Sequence, residues 1–584
     1  MRGHSLISLC GLAVALGSCG PFGEMADPTD PPFPMTGQQI STLMHANQIY
    51  VRSINGDGTW SIDCRCGPQV KSNEISPWVA KALIATEDIR FYAHKGFDPI
   101  STTRALTKNV LGFRKAEGGS TLEMQLCKNK VLNKDRGFNR KWQERSCAKA
   151  VAQAMSKADT LLAYLNSSYF GEGRGHQPSY GIEQAALTIF SKHASKLGVY
   201  GSALLIGMLQ APGKFNPYKD WKKADARAKV VLAQMYKYQF ISRREYATAK
   251  QGRVQKGNVQ RMAFEHRYFT DWIMKSVVAE MPQLAAGMHI PLTLQVRTQA
   301  SGETGFAKAL KAAELPNQQF AAFASIRADG QVIAMMGGQA YAQSQFNNFV
   351  EGQRPPASTF KAIVYAAGIE RGMKVDQAVF DGARKGEIWK ASLLETAKGQ
   401  ISVSEAFALS RNIPAIRIAE VVGYKKLVQL AKRIGIAGNL LPNQNLALGG
   451  FNTTPLNMTS AFTTFTNAGF HQKPYGHFGI VAADGKILSW PDRVGVKVLK
   501  PSTVKTMQAL MRKVVTRGTG KPADAVKDAK GKTGTSDDNR DGWFIGFTEK
   551  TVTGVWIGDT NSGSGVTANG ALAAQLWSAI VLNY

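Results

Sequence analysis

Ser358 and Lys361 stand three residues apart, the spacing that puts two side chains on one face of a helix. A serine hydroxyl is a poor nucleophile until a base takes its proton. A lysine crowded by other cations and partly desolvated loses its own proton near neutral pH and can serve as that base. The first turn of the helix adds backbone N–H groups beside Ser358 that suit an oxyanion. Further on, Ser410-Arg411-Asn412 offers a hydroxyl for proton shuttling and an amide for a substrate backbone. Lys532-Thr533-Gly534-Thr535 on an edge strand offers a clamp for a substrate carboxylate. Such a set performs acyl transfer through a serine ester and demands no metal or organic cofactor.

The first half holds residues for a different reaction. Displacement at an anomeric carbon needs a base for the attacking hydroxyl and cations for a leaving pyrophosphate. Glu87 beside Asp88 and Glu144 behind Arg140-Lys141 are the carboxylates of choice, with Lys128 adding charge. Ser120, Thr121 and Gln125 lie between them in sequence. A lone glutamate of this kind ordinarily sits solvated on a helix surface, as a lone Ser358 ordinarily caps a helix. The surrounding residues decide.

Elements that could position these groups follow from periodicity. Ser76-Pro77 starts a helix with Pro in its first turn, and Val79, Ala82, Leu83 and Thr86 form its stripe up to Glu87. Further helical stretches are Trp142 to Met155, Leu161 to Tyr164, the apolar Gly201 to Gln210, and the basic amphipathic Ala224 to Tyr236. From about residue 290 the texture turns to strands. Phe320 to Ile326 and Gln331 to Met336 read as a hairpin over Asp329-Gly330. Helices follow at Phe360–Arg371 and Ala415–Val422. Residues 542–547 and 553–558 read as paired strands. At 584 residues the chain suits two or three domains. The division is 1–19 signal, 20–35 tether, 36–75 a lead-in with a small hairpin, 76–250 a helical domain, 251–289 a linker and 290–584 a second domain.

Five ordered motifs between 76 and 236 resemble those of the peptidoglycan glycosyltransferases. They are Glu87-Asp88-Ile89-Arg90-Phe91-Tyr92-Ala93-His94-Lys95-Gly96-Phe97-Asp98; Gly118-Gly119-Ser120-Thr121 with Gln125-Leu126 and Lys128-Asn129; and Arg140-Lys141-Trp142-Gln143-Glu144. The fourth comprises Tyr164-Leu165-Asn166, Phe170-Gly171 and Tyr180-Gly181-Ile182. The fifth comprises Leu209-Gln210-Ala211-Pro212 with Phe215-Asn216-Pro217. From about 290 to 580, Arg354-Pro355-Pro356-Ala357-Ser358-Thr359-Phe360-Lys361, Ser410-Arg411-Asn412 and Gly531-Lys532-Thr533-Gly534-Thr535 resemble the penicillin-binding transpeptidases. That order of domains is the one found in class A penicillin-binding proteins.

The resemblance implies a multidomain fold. A mainly α, lysozyme-like glycosyltransferase domain precedes an α/β penicillin-binding, β-lactamase-like domain with an antiparallel sheet flanked by helices. It implies that Glu87 is the general base on the acceptor 4-hydroxyl and that Glu144 stabilises the donor's departing pyrophosphate. Lys128, Arg140 and Lys141 would bind phosphate, and Ser120, Thr121 and Gln125 would shape the cleft. The expected partners are lipid-linked peptidoglycan precursor, nascent peptidoglycan and, as inhibitors, β-lactam antibiotics. A divalent cation beside the pyrophosphate is compatible with the site, though no residue cluster points to one. Glu123 and Met124 replace the family's polar pair, Ala152 and Gly201 stand where acids are common, and Pro355 and Ala357 depart from the nucleophile motif. Other readings are a D,D-carboxypeptidase or β-lactam hydrolase, and a scaffold with a decayed first site; the five polymerase motifs and the retained Glu87, Glu144, Ser358 and Lys361 speak against them.

A formal net charge of +29 favours anionic partners, and with no nucleic-acid motif it fits a membrane surface and pyrophosphate better than DNA. Arg2, the apolar run Leu6–Leu16 and Gly17-Ser18-Cys19 read as an export signal. The run is too short to span a bilayer comfortably. Leu16–Cys19 resembles a lipobox, with Cys19 as the lipidation site; an ordinary cleaved signal or a short anchor are the alternatives. The expected location is the extracytoplasmic side of the membrane. Cys64-Arg65-Cys66 is too tight for a CxxC. Cys127 and Cys147 either pair in an exported protein or remain buried thiols.

Overall fold

The computed structural model describes residues 33–584 except 55–59, 105–118, 133–137, 173–177, 253–265, 282–283, 314–318, 342, 388–393, 395, 537–538, 550 and 560–567. The Leu16–Cys19 segment lies outside the described residues. Among them, no helix is long and apolar enough to cross a membrane.

The first half is helical. Pro77–Glu87 starts at Pro, as Ser76-Pro77 predicts, and buries Val79, Ala82 and Leu83. It packs against Val199–Met208 and Trp221–Lys237. Val199–Met208 carries Leu204, Leu205 and Ile206 with almost no exposed surface, the pattern of a helix apolar all round and enclosed by others. Leu122–Lys130 and Phe138–Ala154 pack side by side along the same core. The disulfide Cys127–Cys147 joins them, so of the two states left open by sequence the paired one is found.

The second half is built on an antiparallel sheet. Its strand order is Lys530–Thr535, Asp541–Phe547, Thr551–Asp559, Gln319–Arg327, Val332–Met336. Both hairpins expected from the sequence form, with Phe323 opposite Met336 and Phe544 opposite Val555. The sheet is covered on both faces. Ala322, Ala324, Ile545 and Trp556 join the core beneath Lys361–Glu370, whereas Ala321, Phe323, Phe544 and Val555 join the one beneath Val296–Ala312 and Gly570–Val581. Neighbours along a strand point to opposite faces; hence these strands are apolar throughout. The sheet edge falls at Lys530–Thr535, next to the turn that carries Ser358.

A second sheet joins distant parts of the chain. The hairpin Gln48–Ile54 and Trp60–Arg65 pairs through Gln48–Ile54 with His289–Pro291, which pairs with Ile480–Val481, which in turn pairs with Ile487–Ser489. The lead-in hairpin is thus built into the body of the molecule. The stretch 251–289, expected as linker, contains the helix Arg267–Glu280, whose Phe269, Ile273, Met274 and Val277 are buried in the second domain's core. Its apolar face was hidden in the sequence among basic, weakly patterned neighbours.

Candidate active sites

In the first domain the C-terminus of the Pro77–Glu87 helix presents Glu87, partly exposed. Gln125 Nε2 donates to Glu87 Oε2 at 3.2 Å, and Tyr164 Oη donates to Gln125 Oε1 at 2.9 Å. Complete burial, with the Glu87 charge nearby, pushes the Tyr164 phenol well above its ordinary value; it stays a donor. Arg227, from the Trp221–Lys237 helix, also feels the Glu87 charge, while desolvation holds its guanidinium below the usual value. Sequence reasoning assigned neither Tyr164 nor Arg227 a role. Tyr164 stood inside a recognised motif, and Arg227 looked like one of many cations on an amphipathic helix.

Around the same helix start, Lys141 Nζ bridges Glu144 Oε2 at 2.6 Å and Ser120 Oγ at 3.0 Å. Glu144 is buried and Lys141 is about half exposed. A carboxylate is costly to bury unless paired, and Lys141 supplies that pairing while keeping its stem open to a ligand. Lys128 is exposed on Leu122–Lys130. Arg140 lies on Phe138–Ala154, and its side chain lies outside the described set. Gln125 thus reaches Glu87 directly, and Ser120 reaches Glu144 through Lys141. Thr121 is expected to shape the cleft together with Ser120 and Gln125. It is buried, its hydroxyl donates to Gly96 O at 2.6 Å and accepts from Met124 N at 3.2 Å, so it caps the helix and shapes the cleft from beneath.

The acids around Glu87 have structural partners. Asp88 accepts from His94 Nε2 and from Leu122 N, both at 3.0 Å, tying the end of one helix to the start of the next. Glu123 does not face the cleft: it is fully buried and paired with Lys157 at 2.7 Å. Asp88, His94 and Glu123 offer ligand atoms within 4.8 Å of one another. Here Asp88 is engaged by His94 and a helix amide, and Glu123 by a lysine.

In the second domain a 3₁₀ turn, Ala357–Phe360, carries Ser358 into the helix Lys361–Glu370. Lys361 is 1% exposed. Its Nζ donates to Ser410 O at 2.6 Å and to Asn412 Oδ1 at 2.5 Å. Burial, then the nearby Lys532 and Arg411 cations, hold its pKa well below the ordinary lysine value, with Asp381 opposing them. Lys532 is also buried, its Nζ donating to Ser410 Oγ at 2.8 Å and Thr533 O at 3.0 Å. Desolvation brings it down to about 7. The three sequence words therefore meet at Ser410, whose carbonyl holds one lysine and whose hydroxyl holds the other.

Backbone geometry makes that meeting fit. Ser410 adopts φ +58° at the join of two helices, which presents both of its polar groups to the lysines. Arg411 turns the other way and pairs with buried Asp381 at 2.6 Å. A Cβ on Gly534 would come within 2.9 Å of Pro356 O and of Thr359 Cγ2, so glycine lets the edge strand reach the nucleophile turn. Thr533 is buried with its hydroxyl on that of Thr519, and the Thr535 hydroxyl accepts from Gly570 N at 3.0 Å.

Comparison with known proteins follows the same division. The transglycosylase family model matches residues 63–236, and the penicillin binding protein transpeptidase domain model matches residues 320–581. Penicillin-binding protein 1A of Aquifex aeolicus is 28% identical, with 92% of this chain and 86% of that protein covered. Penicillin-binding proteins 2D and 1F of Bacillus subtilis are each 30% identical; the alignments cover 87% and 88% of this chain, and 76% and 74% of those proteins.

Proposed function

Since the chain belongs to the class A penicillin-binding proteins, bifunctional peptidoglycan synthases with glycosyltransferase and D,D-transpeptidase domains, we propose how its own residues divide the two reactions. Glu87 takes the proton of the acceptor 4-hydroxyl as that oxygen attacks the anomeric carbon of the lipid-linked donor. Glu144, through Lys141, together with Lys128 and Arg140, receives the departing pyrophosphate. Any divalent cation there arrives with the pyrophosphate.

In the second reaction Ser358 Oγ attacks the carbonyl of the penultimate D-alanine. Neutral Lys361 takes the serine proton, and the Ser410 hydroxyl relays a proton to the leaving terminal D-alanine. The C–N bond breaks, leaving an ester on Ser358 that the amine of a second stem peptide attacks. Asn412 orients the substrate backbone, and Lys532 with Thr533, Gly534 and Thr535 receives the terminal carboxylate. A β-lactam follows the same first half and stops at the ester. The observation that carries this reading is the buried, two-acceptor grip on Lys361 Nζ: an amine with its pKa driven down by burial and by like charges is a base at neutral pH.

The test uses both activities in one preparation. Glu87→Gln cannot accept the proton, so glycan polymerisation falls by at least about 100-fold, while labelled penicillin still acylates Ser358. Polymerisation within tenfold of wild type would overturn the role given to Glu87. Ser358→Ala abolishes labelling, and peptide mass spectrometry of the wild type places the penicilloyl group on Ser358.

The family's work lies in the cell envelope. We infer in addition that this chain is held at the outer side of the cytoplasmic membrane by its N-terminus, through a lipid on Cys19 or a short signal anchor. The lipobox-like Leu16–Cys19 and the basic surface support this.

A further inference from the structure

Cys64 and Cys66 close a disulfide across a single intervening residue, at the end of the strand Trp60–Arg65. Cys64 is on the strand and Cys66 immediately beyond its end, and the bond holds both sulfurs on one side. His266 stands immediately ahead of the helix Arg267–Glu280. One ligand atom from each of the three residues lies within 4.8 Å of the other two. Among the described residues His266 Nδ1 is buried and has no hydrogen-bond partner, an arrangement that is costly unless a ligand fills it. None of the three touches either active site, and all lie where the N-terminal hairpin meets the second domain.

We propose that Cys64, Cys66 and His266 form a redox-gated site for one thiophilic d¹⁰ cation, Cu⁺ or Zn²⁺. Two thiolates and an imidazole are the donor set such ions select over oxygen-binding cations. Ligands about 2.0–2.3 Å from a shared ion stand roughly 3.5–4 Å apart, so once reduced the two sulfurs need only separate to that spacing with His266 drawn slightly inward. The oxidised pair cannot bind, because both sulfurs are spent on each other. A dithiol reductant opens it: its two thiols become a disulfide, and Cys64 and Cys66 take up the two electrons and two protons. The cation then displaces those two protons. Binding would fasten the Trp60–Arg65 strand to the Arg267–Glu280 helix, so that the redox state and metal supply of the envelope set how firmly the junction between the domains is held.

The test takes full-length protein, reduced with a phosphine and confirmed open at Cys64 and Cys66 by alkylation and mass, alongside Cys64→Ser/Cys66→Ser and His266→Ala. Each is loaded with Cu⁺ from a buffered complex or with Zn²⁺, desalted and assayed for metal, and acylation by labelled penicillin reports the fold. Reduced wild type should retain one equivalent more than the double serine variant, in which the other four cysteines are unchanged. With Cu⁺, the wild type should also show thiolate charge-transfer absorbance. His266→Ala should bind at least tenfold more weakly, and oxidised wild type should retain nothing extra. Whichever cation is kept in competition is the site's ion. Equal retention by the double variant, unchanged affinity in His266→Ala, or no retention by reduced wild type that still acylates would each overturn the proposal.

Discussion

Two buried lysines within one site make the second reaction depend on how protons are shared. Lys532 lowers the pKa of Lys361 by like-charge repulsion. Lys532→Ala removes that repulsion, so Lys361 becomes easier to protonate and is neutral only at higher pH. The acid limb of the pH profile for acylation should therefore move to higher pH. The substrate carboxylate also loses a charged hydrogen bond worth about 1.5–3 kcal/mol, roughly a 10–100-fold loss in kcat/KM. Second-order acylation rates across pH check both; an unmoved limb would separate Lys532 from the base. Beside them, Ala357 sits at φ +48°, and its carbonyl oxygen lies 2.2 Å from where a Cβ on Gly449 would be. A left-handed alanine costs about 1–2 kcal/mol, whereas glycine costs about 0.4–1 kcal/mol in unfolded-chain entropy. Ala357→Gly should therefore stabilise the second domain by up to about 1 kcal/mol in urea unfolding, with acylation nearly unchanged.

At the level of elements, the first site depends on two helices clamped together. Leu122–Lys130 brings Gln125 to Glu87, and Phe138–Ala154 brings Glu144 and Lys141; Cys127–Cys147 binds one to the other. The bridge closes a loop of 20 residues, so replacing both cysteines by alanine should cost about 3 kcal/mol. Glycan polymerisation should suffer before acylation does, which thermal unfolding and the paired assay would read. How much of this was legible varies with the range of the signal. Ser358, Lys361, Ser410 and Lys532 stood out because their neighbours in sequence carry the pattern, and the long hairpins because apolar runs rich in β-formers flank turn residues such as Asp329-Gly330. Strands of two or three residues such as Ile480–Val481 have no period to detect, so the sheet that takes in the N-terminal hairpin was invisible. Cys64–Cys66 was passed over because the spacing was compared with metal motifs, when what mattered was that the end of a strand brings the two sulfurs together. Thr121 shows that a motif residue can serve by capping a helix as well as by touching a ligand.

Over the whole molecule, the two active sites sit on separate cores, and the excess of positive charge suits a protein working against a membrane and a pyrophosphate. If the anchor is a lipid, intact-mass analysis of membrane-extracted protein should show cleavage before Cys19 plus acyl mass; an uncleaved Met1 would favour a signal anchor. The sheet that joins the halves bears on how the chain comes into being. Its hairpin, Gln48–Arg65, emerges early, but its neighbours are His289–Pro291 and then Ile480–Val481. At roughly 5–20 residues per second, the exposed edge of that hairpin waits on the order of ten seconds or longer for its first partner. The glycosyltransferase helices can assemble in that interval from contacts of short range, while the edge stays open to any other extended chain. Export thus imposes an order: the polymerase core comes first, and the seam that fastens it to the transpeptidase is stitched only when the rest of the chain has crossed.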